Sequence, residues 1–456
     1  MMAGRSRGPA RDLATLGAAA LGLAASALAL ATLTACGGAS GQDQVVLEFW
    51  AMGREGEVVQ ELVREFEREN PGIRVEVQQM PWTAAHEKLL TAFVGRATPD
   101  LAQLGNTWVP EFAAIGAIES LDARIARSGL VKPEAYFPGI WETNVVAGAT
   151  YGIPWYVDTR LLFYRTDLFA RAGWNELPRT WDELLEAMGD VKHLQGRGGW
   201  PIVLPTDEWD KLIVWALAAG APLLDDDGTH GRFQGPRFRR AFEFWLGLFR
   251  DGLAPPYTRV QVANRYQQFA DGEFAMVLTG PWDIGEFRRR LPAELQDDWT
   301  TAPMPAPGDA AGAWPGASLA GGSSLVLFDG SEHPHAAWKL IEFLSRPEQQ
   351  LRFYELTGDL PARRAAWQDP ALLEDPQINA FYVQLQNVAP LPQVPEIEEI
   401  VNRVAEFAEA VALGGMDSDE ALAALDAEID RILTKRRWML ARRPQAAGTA
   451  PDPARP

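Results

Sequence analysis

The chain has 456 residues, of which 47% are hydrophobic and 23% are charged, so it is long enough for two or more globular domains and too apolar to be disordered. Its formal net charge of −19 disfavours nucleic acid and anionic lipid as general partners. A single cysteine excludes an intrachain disulfide. Seventeen tryptophans are many for this length, and indole rings favour stacking surfaces, so they direct attention to a ligand site.

The N-terminus has the features of an export signal. Arginines within residues 1–11 precede an uncharged stretch, rich in Ala and Leu, from Leu13 to Leu33. Small residues and the lone Cys36 follow, which is the order of a secretory signal with its cleavage site. The apolar stretch is also about long enough to span a bilayer, so a retained single-pass anchor is the alternative.

The end of this stretch, Leu33-Thr34-Ala35-Cys36, resembles the bacterial lipoprotein box. The resemblance implies that residues 1–35 are a lipoprotein signal peptide and that Cys36 is lipidated. Residues 36–44 are rich in Gly and polar residues and predict a flexible tether. We therefore expect an exported domain that is lipid-anchored to the outer face of the cytoplasmic membrane.

Strands and helices alternate from residue 45 onward. A buried strand (45–50), an amphipathic helix (57–69) and an alternating strand (73–77) predict a parallel strand–helix–strand opening. Pairs of Ser or Thr with Glu three residues later predict capping boxes that begin at Thr180 and Ser345. Further predicted helices cover 84–94, 238–249, 336–344, 396–413 and 420–433, and further strands 101–104, 274–279 and 324–328. This order is typical of the α/β class.

Signatures of catalysis and metal binding are weak. The sequence has no Walker A loop, no HExxH and no Gly-rich dinucleotide fingerprint. The segment around Ser318 approaches a nucleophile elbow but lacks its last glycine. We therefore assign no catalytic residue, no metal ligand and no cofactor, although carboxylate pairs for glycoside hydrolysis are not local in sequence.

Six tryptophans fall at the ends of predicted strands or in the adjoining turns: Trp50, Trp82, Trp108, Trp209, Trp282 and Trp314. Ligands of open α/β sheets bind beyond the carboxyl ends of the strands. There an indole ring can stack on the C–H face of a sugar while charged and amide side chains bond its hydroxyls. Four tryptophans lie instead in helical patterns and are predicted to be core residues: Trp181, Trp215, Trp245 and Trp338.

Several segments, taken in order and spacing, resemble the family 1 extracellular solute-binding proteins of bacterial ABC importers. The maltose- and trehalose-type sugar binders are the most similar subgroup, and the resemblance runs from about residue 45 to residue 435. The segments are residues 47–50, 66–73, 98–101, 151–165, 269–276, 280–282 and 357–363.

The resemblance implies an α/β, two-lobed periplasmic-binding-protein-like fold of type II, with the ligand cleft between lobes joined by hinge strands. The first lobe is expected to comprise residues 45–154 plus 320–359, and the second 155–319 plus 360–440. The crossings would lie near Pro154, Gly321 with Gly322, and Gly358, where Gly and Pro suit a hinge. Residues 441–456 are rich in Pro and Ala and predict a disordered tail.

The resemblance and the residue chemistry together give a set of candidate ligand-binding residues. Trp209 and Trp282 would offer stacking faces, and two adjacent glycines would let the backbone approach the ligand. Asn106 stands where many relatives have Asp, which leaves the identity of the sugar open. The full set is Trp50, Glu55, Asn106, Trp108, Tyr156, Asp158, Trp209, Trp282, Gly321, Gly322 and Arg363.

The expected function is a substrate-binding component of an ABC transporter. It would capture a small-molecule carbohydrate, a di- or oligosaccharide, and deliver it to the permease subunits in the membrane by lobe closure, acting as a monomer and not as an enzyme. The alternatives are the same fold with a polyamine or peptide ligand, an exported carbohydrate-active enzyme, and a purely structural surface lipoprotein.

Overall fold

Two β-sheets, each assembled from distant parts of the chain, organise the fold. A computed structural model of the protein describes residues 44–308 and 313–442. The predicted signal peptide, Cys36, the tether as far as residue 43 and the tail beyond residue 442 lie outside the described residues. The described part that begins at Val45 is one compact unit.

The strands of the described residues are, in chain order, β1 (Val45–Met52), β2 (Ile73–Met80), β3 (Leu101–Gly105), β4 (Val145–Val146), β5 (Ala149–Thr150), β6 (Gly152–Asp158), β7 (Leu161–Arg165), β8 (Trp200–Val203), β9 (Phe274–Thr279), β10 (Trp299–Ala302), β11 (Ser318–Leu319), β12 (Gly321–Leu327), β13 (Leu360–Pro361) and β14 (Val388–Ala389).

The α-helices are α1 (Gly53–Glu69), α2 (Trp82–Gly95), α3 (Val109–Ala114), α4 (Asp122–Arg127), α5 (Pro138–Glu142), α6 (Thr166–Arg171), α7 (Trp181–Gln195), α8 (Asp210–Ala218), α9 (Pro236–Arg250), α10 (Arg265–Ala270), α11 (Trp282–Arg290), α12 (Pro334–Leu344), α13 (Pro347–Thr357), α14 (Pro370–Leu373), α15 (Pro376–Leu385), α16 (Ile397–Ala412), α17 (Ser418–Ile432) and α18 (Thr434–Ala441). Short 3₁₀ helices cover Asn106–Trp108, Pro133–Ala135, Gly196–Gly198, Ala293–Leu295 and Arg364–Gln368.

The first sheet has six strands in the order β13-β6-β12-β3-β1-β2. β1 runs parallel to both β2 and β3, so the predicted strand–helix–strand opening is confirmed. β12 is antiparallel to its neighbours β3 and β6, which makes the sheet mixed. Along β2, the buried Ile73 and Val75 alternate with the exposed Arg74 and Glu76, as expected for a strand with one covered face.

The second sheet has four strands in the order β10-β7-β9-β8. β8 and β9 are parallel, and the other pairs are antiparallel. Its helices pack through aromatic side chains, for example Trp181 against Phe244 with ring centroids 4.4 Å apart.

The four tryptophans predicted from helical patterns to be core residues are all buried: Trp181, Trp215, Trp245 and Trp338.

The chain passes from the first sheet to the second between β6 and β7. β6 pairs with β12 as far as Asp158 and Gly321, and β7 begins at Leu161. The prediction places this crossing at Pro154, whereas the strand pairing places it at residues 159 and 160. β13 likewise pairs with β6 in the first sheet, although residues from 360 onward are predicted in the second lobe.

The two predicted capping boxes have different outcomes. Thr180 accepts a hydrogen bond from the backbone N–H of Glu183 at the start of α7, which confirms the first. The second is wrong, because Ser345 ends α12 and donates its hydroxyl to the Ile341 carbonyl at 2.7 Å. α13 begins later, at Pro347, whose fixed φ suits the first helical position.

Candidate functional site

A cavity of about 420 Å³ opens between residues of the two sheets and their helices. On one side β1, β2 and β3 end, and α1, α2 and the 3₁₀ helix Asn106–Trp108 begin. On the other side lie the beginnings of α8 and α11. The lining residues are Glu55, Trp82, Gly105, Asn106, Thr107, Tyr156, Asp158, Arg160, Trp209, Trp282, Leu319, Ala320, Gly321, Gly322, Ser323 and Asp359.

Eight of the predicted site residues line this cavity. They come from the first helix, the 3₁₀ helix, the β6 and β12 strands and the second-sheet helices, and only the fold brings them together. They are Glu55, Asn106, Tyr156, Asp158, Trp209, Trp282, Gly321 and Gly322.

The other three predicted residues do not line the cavity. Trp50 lies within β1, paired with Gln78 and Ala102, and is buried with Lys88 Nζ 4.7 Å from its ring centroid. Trp108 packs edge-on against Trp82, 5.6 Å between centroids, and against the imidazole of His86.

Arg363 is also turned away from the cavity. Its guanidinium lies 5.2 Å from the ring centroid of Tyr136 and donates to the Leu130 carbonyl at 3.0 Å. Because β13 belongs to the first sheet, the chain carries Arg363 into the core of that lobe and not into the second.

A buried hydrogen-bond network fixes the floor of the cavity. The Tyr156 hydroxyl donates to Glu55 Oε1 at 2.8 Å and accepts from Gln103 Nε2 at 3.1 Å and from Ser323 Oγ at 3.0 Å. Burial, and then the charge of Glu55, raise the pKa of Tyr156 well above its usual value. Tyr156 therefore stays protonated and holds Glu55 in place as a hydrogen-bond acceptor.

Asn106 presents an amide group without a protein partner for its nitrogen. Its Oδ1 accepts from Ser324 Oγ at 3.1 Å, which orients the side chain, while Nδ2 has no hydrogen-bond partner among the described residues. The residue is only 5% exposed. Because a buried unpaired donor costs about 1–3 kcal/mol, an acceptor from a bound ligand would offset that cost here.

An ion-pair chain supports the opposite wall. Arg160 contacts Asp158 Oδ1 and Asp210 Oδ2, each at 2.7 Å, and its guanidinium lies 4.6 Å from the ring centroid of Trp282. Burial lowers the pKa of Arg160, but the two carboxylates outweigh it and raise the pKa above its usual value. Burial likewise opposes ionisation of Asp210, yet Lys211 and Arg160 lower its pKa to about 2.

The same arginine positions a stacking surface. Trp282 remains 40% exposed at the cavity although Arg160 lies on its ring. A cation on an indole face contributes about 0.5–1 kcal/mol at such an exposed site, so Arg160 stabilises this position of the ring. The exposed part of the Trp282 ring is therefore available for contact with a ligand in the cavity.

Gly321 and Gly322 are required for the close approach of β12 and β6. A Cβ on Gly321 would lie 2.2 Å from Asp158 Oδ1, and one on Gly322 would lie 2.3 Å from the Tyr156 carbonyl oxygen. Gly322 also has φ of +125°. The prediction assigned these glycines to ligand approach, whereas the space beside them is filled first by the protein's own Asp158 and Tyr156.

Asp359 is a cavity residue that the candidate set omits. Burial, and then the charge of Glu55, raise its pKa from 3.8 to about 8. Asp359 lies within segment 357–363, which resembles the solute-binding proteins, so the sequence pointed to this region. Only the fold shows that its carboxyl group faces Glu55 and Asp158. Arg160 in segment 151–165 and Trp82 among the strand-end tryptophans are further omissions.

One hydrogen bond joins the two walls at the edge of the cavity. Thr107, in the 3₁₀ helix of the first lobe, donates its hydroxyl to Glu398 Oε1 in α16. α16 packs in the core of the second lobe through Ile400, Val401 and Val404. This bond therefore stabilises an arrangement in which the lobes meet.

Three observations concern a membrane span, a metal site and a catalytic serine. In the described residues no helix is both long and apolar enough to cross a bilayer. Over the same ranges no group of three or more His, Cys, Asp or Glu side chains is arranged to hold a metal ion. Ser318, the near-match to a nucleophile elbow, donates its hydroxyl to the Arg160 carbonyl at 2.7 Å and so supports the crossing.

Residues 51–351 match the family model described as bacterial extracellular solute-binding protein. Among solved structures, the sugar-binding protein MalE from the phytopathogen Xanthomonas citri is 46% identical, with a TM-score of 0.84 over 88% of this chain and all of that chain. The predicted two-lobed α/β fold of the periplasmic-binding-protein type is thereby confirmed.

More distant curated relatives cover most of the chain. A binding protein of Brucella abortus is 28% identical over 394 residues, which is 84% of this chain and 91% of that protein. The maltotriose-binding protein of Pyrococcus abyssi is 25% identical over 365 residues, 78% of this chain and 75% of that protein. Both are named as binding proteins and not as enzymes.

Proposed function

Because the chain belongs to the bacterial extracellular solute-binding protein family, we propose that it captures a carbohydrate, a di- or oligosaccharide, in the cavity between its lobes. The observation that carries the proposal is the pairing of indole rings with ionised and amide groups around that cavity, in a chain 46% identical to a sugar-binding protein. Trp82, Trp209 and Trp282 line it together with Glu55 and Asp158.

The cavity matches the chemistry of a sugar ring. The C–H faces of the ring are apolar and suit the exposed indole of Trp282, whereas the hydroxyls need acceptors and donors. Glu55 and Asp158 offer carboxylate acceptors, and Asn106 offers an unpaired N–H donor. Hydrogen bonds to charged groups contribute about 1.5–3 kcal/mol each, so a few of them reach micromolar affinity after the cost of association.

Ligand binding is coupled to lobe closure in this proposal. The cavity takes residues from both lobes, so a sugar that contacts both favours the closed arrangement by its differential affinity. The closed form then docks on the permease subunits of an ABC importer, and the protein itself performs no catalysis. Lipid attached to Cys36 would keep it, as a monomer, at the outer face of the cytoplasmic membrane.

The test is a thermal-shift screen of residues 37–456 with mono-, di- and oligosaccharides, polyamines and peptides, followed by calorimetry of the ligands that stabilise the protein. A ligand at about 100 times its Kd stabilises the folded state by about 2.7 kcal/mol. We expect stabilisation by one class of sugar. Stabilisation by polyamines alone would show that the carboxylates of the cavity bind a cationic ligand. Release of shorter sugars from an oligosaccharide would favour a carbohydrate-active enzyme.

A matched pair of variants locates the site. Trp282 and Trp314 are similarly exposed, at 40% and 37%, and each has an arginine on its ring, at 4.6 and 4.5 Å. Only Trp282 lines the cavity. Trp282→Ala should weaken sugar binding about tenfold, and Trp314→Ala should leave it unchanged. Equal losses in both variants would contradict the assignment.

A further inference from the structure

The last helix, α18, and the two residues that follow it concentrate positive charge in an acidic protein. Residues 434–443 contain five Lys or Arg and no Asp or Glu, whereas the whole chain has a formal net charge of −19. A local basic segment acts at short range, because charges separated by more than about 8 Å are screened at physiological salt. Acidic residues beyond that distance therefore contribute little to the potential of this segment at a surface that it touches.

Four exposed residues form one stripe along α18. Lys435, Trp438, Met439 and Arg442 are spaced by three, four and seven residues, which places them on one helical face. Trp438 is 55% exposed and Met439 is 42% exposed. The Arg442 guanidinium lies 3.7 Å from the ring centroid of Trp438. The stripe thus combines a large apolar surface with a cationic group at each end.

The opposite side of the helix is attached to the second lobe. Arg436 donates to the Gly228 carbonyl at 2.8 Å, and Arg437 donates to the Thr229 carbonyl at 2.7 Å. These partners are neutral backbone groups, so both guanidinium charges remain uncompensated by them. The attachment fixes the helix with its stripe directed outward, and the apolar side chains of the stripe serve no core.

We propose that this stripe docks on an anionic phospholipid surface. Tryptophan is favoured at the level of the headgroups, where its ring is in an apolar environment and its N–H in a wet one. Methionine would enter the same layer, while Lys435 and Arg442 extend to lipid phosphates. The docking needs no lipid on Cys36, although a lipidated chain would be kept close to such a surface.

The test uses the unlipidated chain from Gly37 to Pro456, so that any binding comes from the protein. Co-sedimentation is measured with vesicles of phosphatidylcholine alone and with vesicles containing about one-third phosphatidylglycerol. We expect binding to the anionic vesicles only, weakened by added salt. The double variant Lys435→Gln with Arg442→Gln should reduce affinity about 30-fold, because each basic residue near the surface contributes roughly fivefold.

Two controls separate docking from general charge. Arg64→Gln with Arg68→Gln removes the same charge from an exposed face of α1 and should leave vesicle binding unchanged. Trp438→Ala should weaken binding roughly tenfold, because a large part of the indole leaves water on docking. Circular dichroism checks that each variant is folded.

Three results would overturn the proposal: no vesicle binding, equal binding to neutral and anionic vesicles, or equal binding by the double variant and the parent. A concentration-dependent dimer that the double variant abolishes, without vesicle binding, would likewise reject the membrane and assign the stripe to a second copy of the chain.

Discussion

The carboxyl group of Asp359 should make the stability of the fold depend on pH, and Asp359→Asn should remove that dependence. Burial and the neighbouring Glu55 raise the pKa of Asp359 to about 8, against 3.8 in the unfolded chain. Below pH 4 both states carry the proton, so this group contributes no difference. Between pH 4 and pH 8 the unfolded chain has lost the proton and the folded chain keeps it, so rising pH destabilises the fold. The loss is complete above pH 8.

The magnitude follows from proton linkage. Each pH unit in this window costs at most about 1.4 kcal/mol, so the free energy of unfolding should fall by up to about 2.7 kcal/mol between pH 5 and pH 7. Asn has the same shape and no charge. Measured by urea unfolding, the stability gained by Asp359→Asn should therefore be small below pH 4 and grow steadily from there towards pH 8.

Comparing variant with parent at each pH cancels the titrating groups that do not interact with Asp359. Asp329→Asn, at an exposed carboxyl outside the cavity, is the control for the chemical change itself. A gain for Asp359→Asn that is the same at pH 5 and pH 8 would refute the reasoning, because a permanent gain would come from packing and not from the proton.

Two further variants test the bond between the lobes and the glycine strand. Thr107→Val removes the hydrogen bond to Glu398, so it should weaken sugar binding about tenfold and expand the unliganded protein, as measured by solution scattering. The control is Ser120→Ala, which removes a hydroxyl–carboxylate bond within one lobe and should change neither sugar binding nor the size of the protein. Gly322→Ala should destabilise the fold by about 3 kcal/mol in urea unfolding, because the new Cβ would clash with the Tyr156 carbonyl. Gly358 has φ of +85° and no neighbour within 4 Å, so Gly358→Ala should destabilise the fold by only about 1 kcal/mol. Equal losses in the two glycine variants would show that the clash is relieved.

Much of the fold follows from local pattern. Strand 274–279 has the predicted limits, and the limits of the opening strands and helices differ by a few residues. The predicted positions of residues are wrong where pairing with a distant segment of the chain determines the position. The sequence predicts Trp50 at the end of the first strand, but pairing with β2 extends that strand to Met52, and the ring is buried. Arg363 follows a strand whose sheet is set by pairing with β6, a contact between distant segments that no local pattern encodes.

The tryptophans show which local signal was available and unused. Of the six at strand ends, the three that line the cavity stand at helix starts: Trp82 begins α2, Trp282 begins α11, and Trp209 is the N-cap of α8. A helical Cα–Cβ bond tilts towards the N-terminus, so a side chain in the first turn extends past the helix end. In an α/β fold that end faces the same space as the carboxyl ends of the strands. Pro81 and Pro281 mark two of these starts in the sequence. Trp155 also follows a proline, Pro154, but it lies inside β6 and is buried, so the Pro-Trp pair indicates a cavity residue only where a helix begins after the proline.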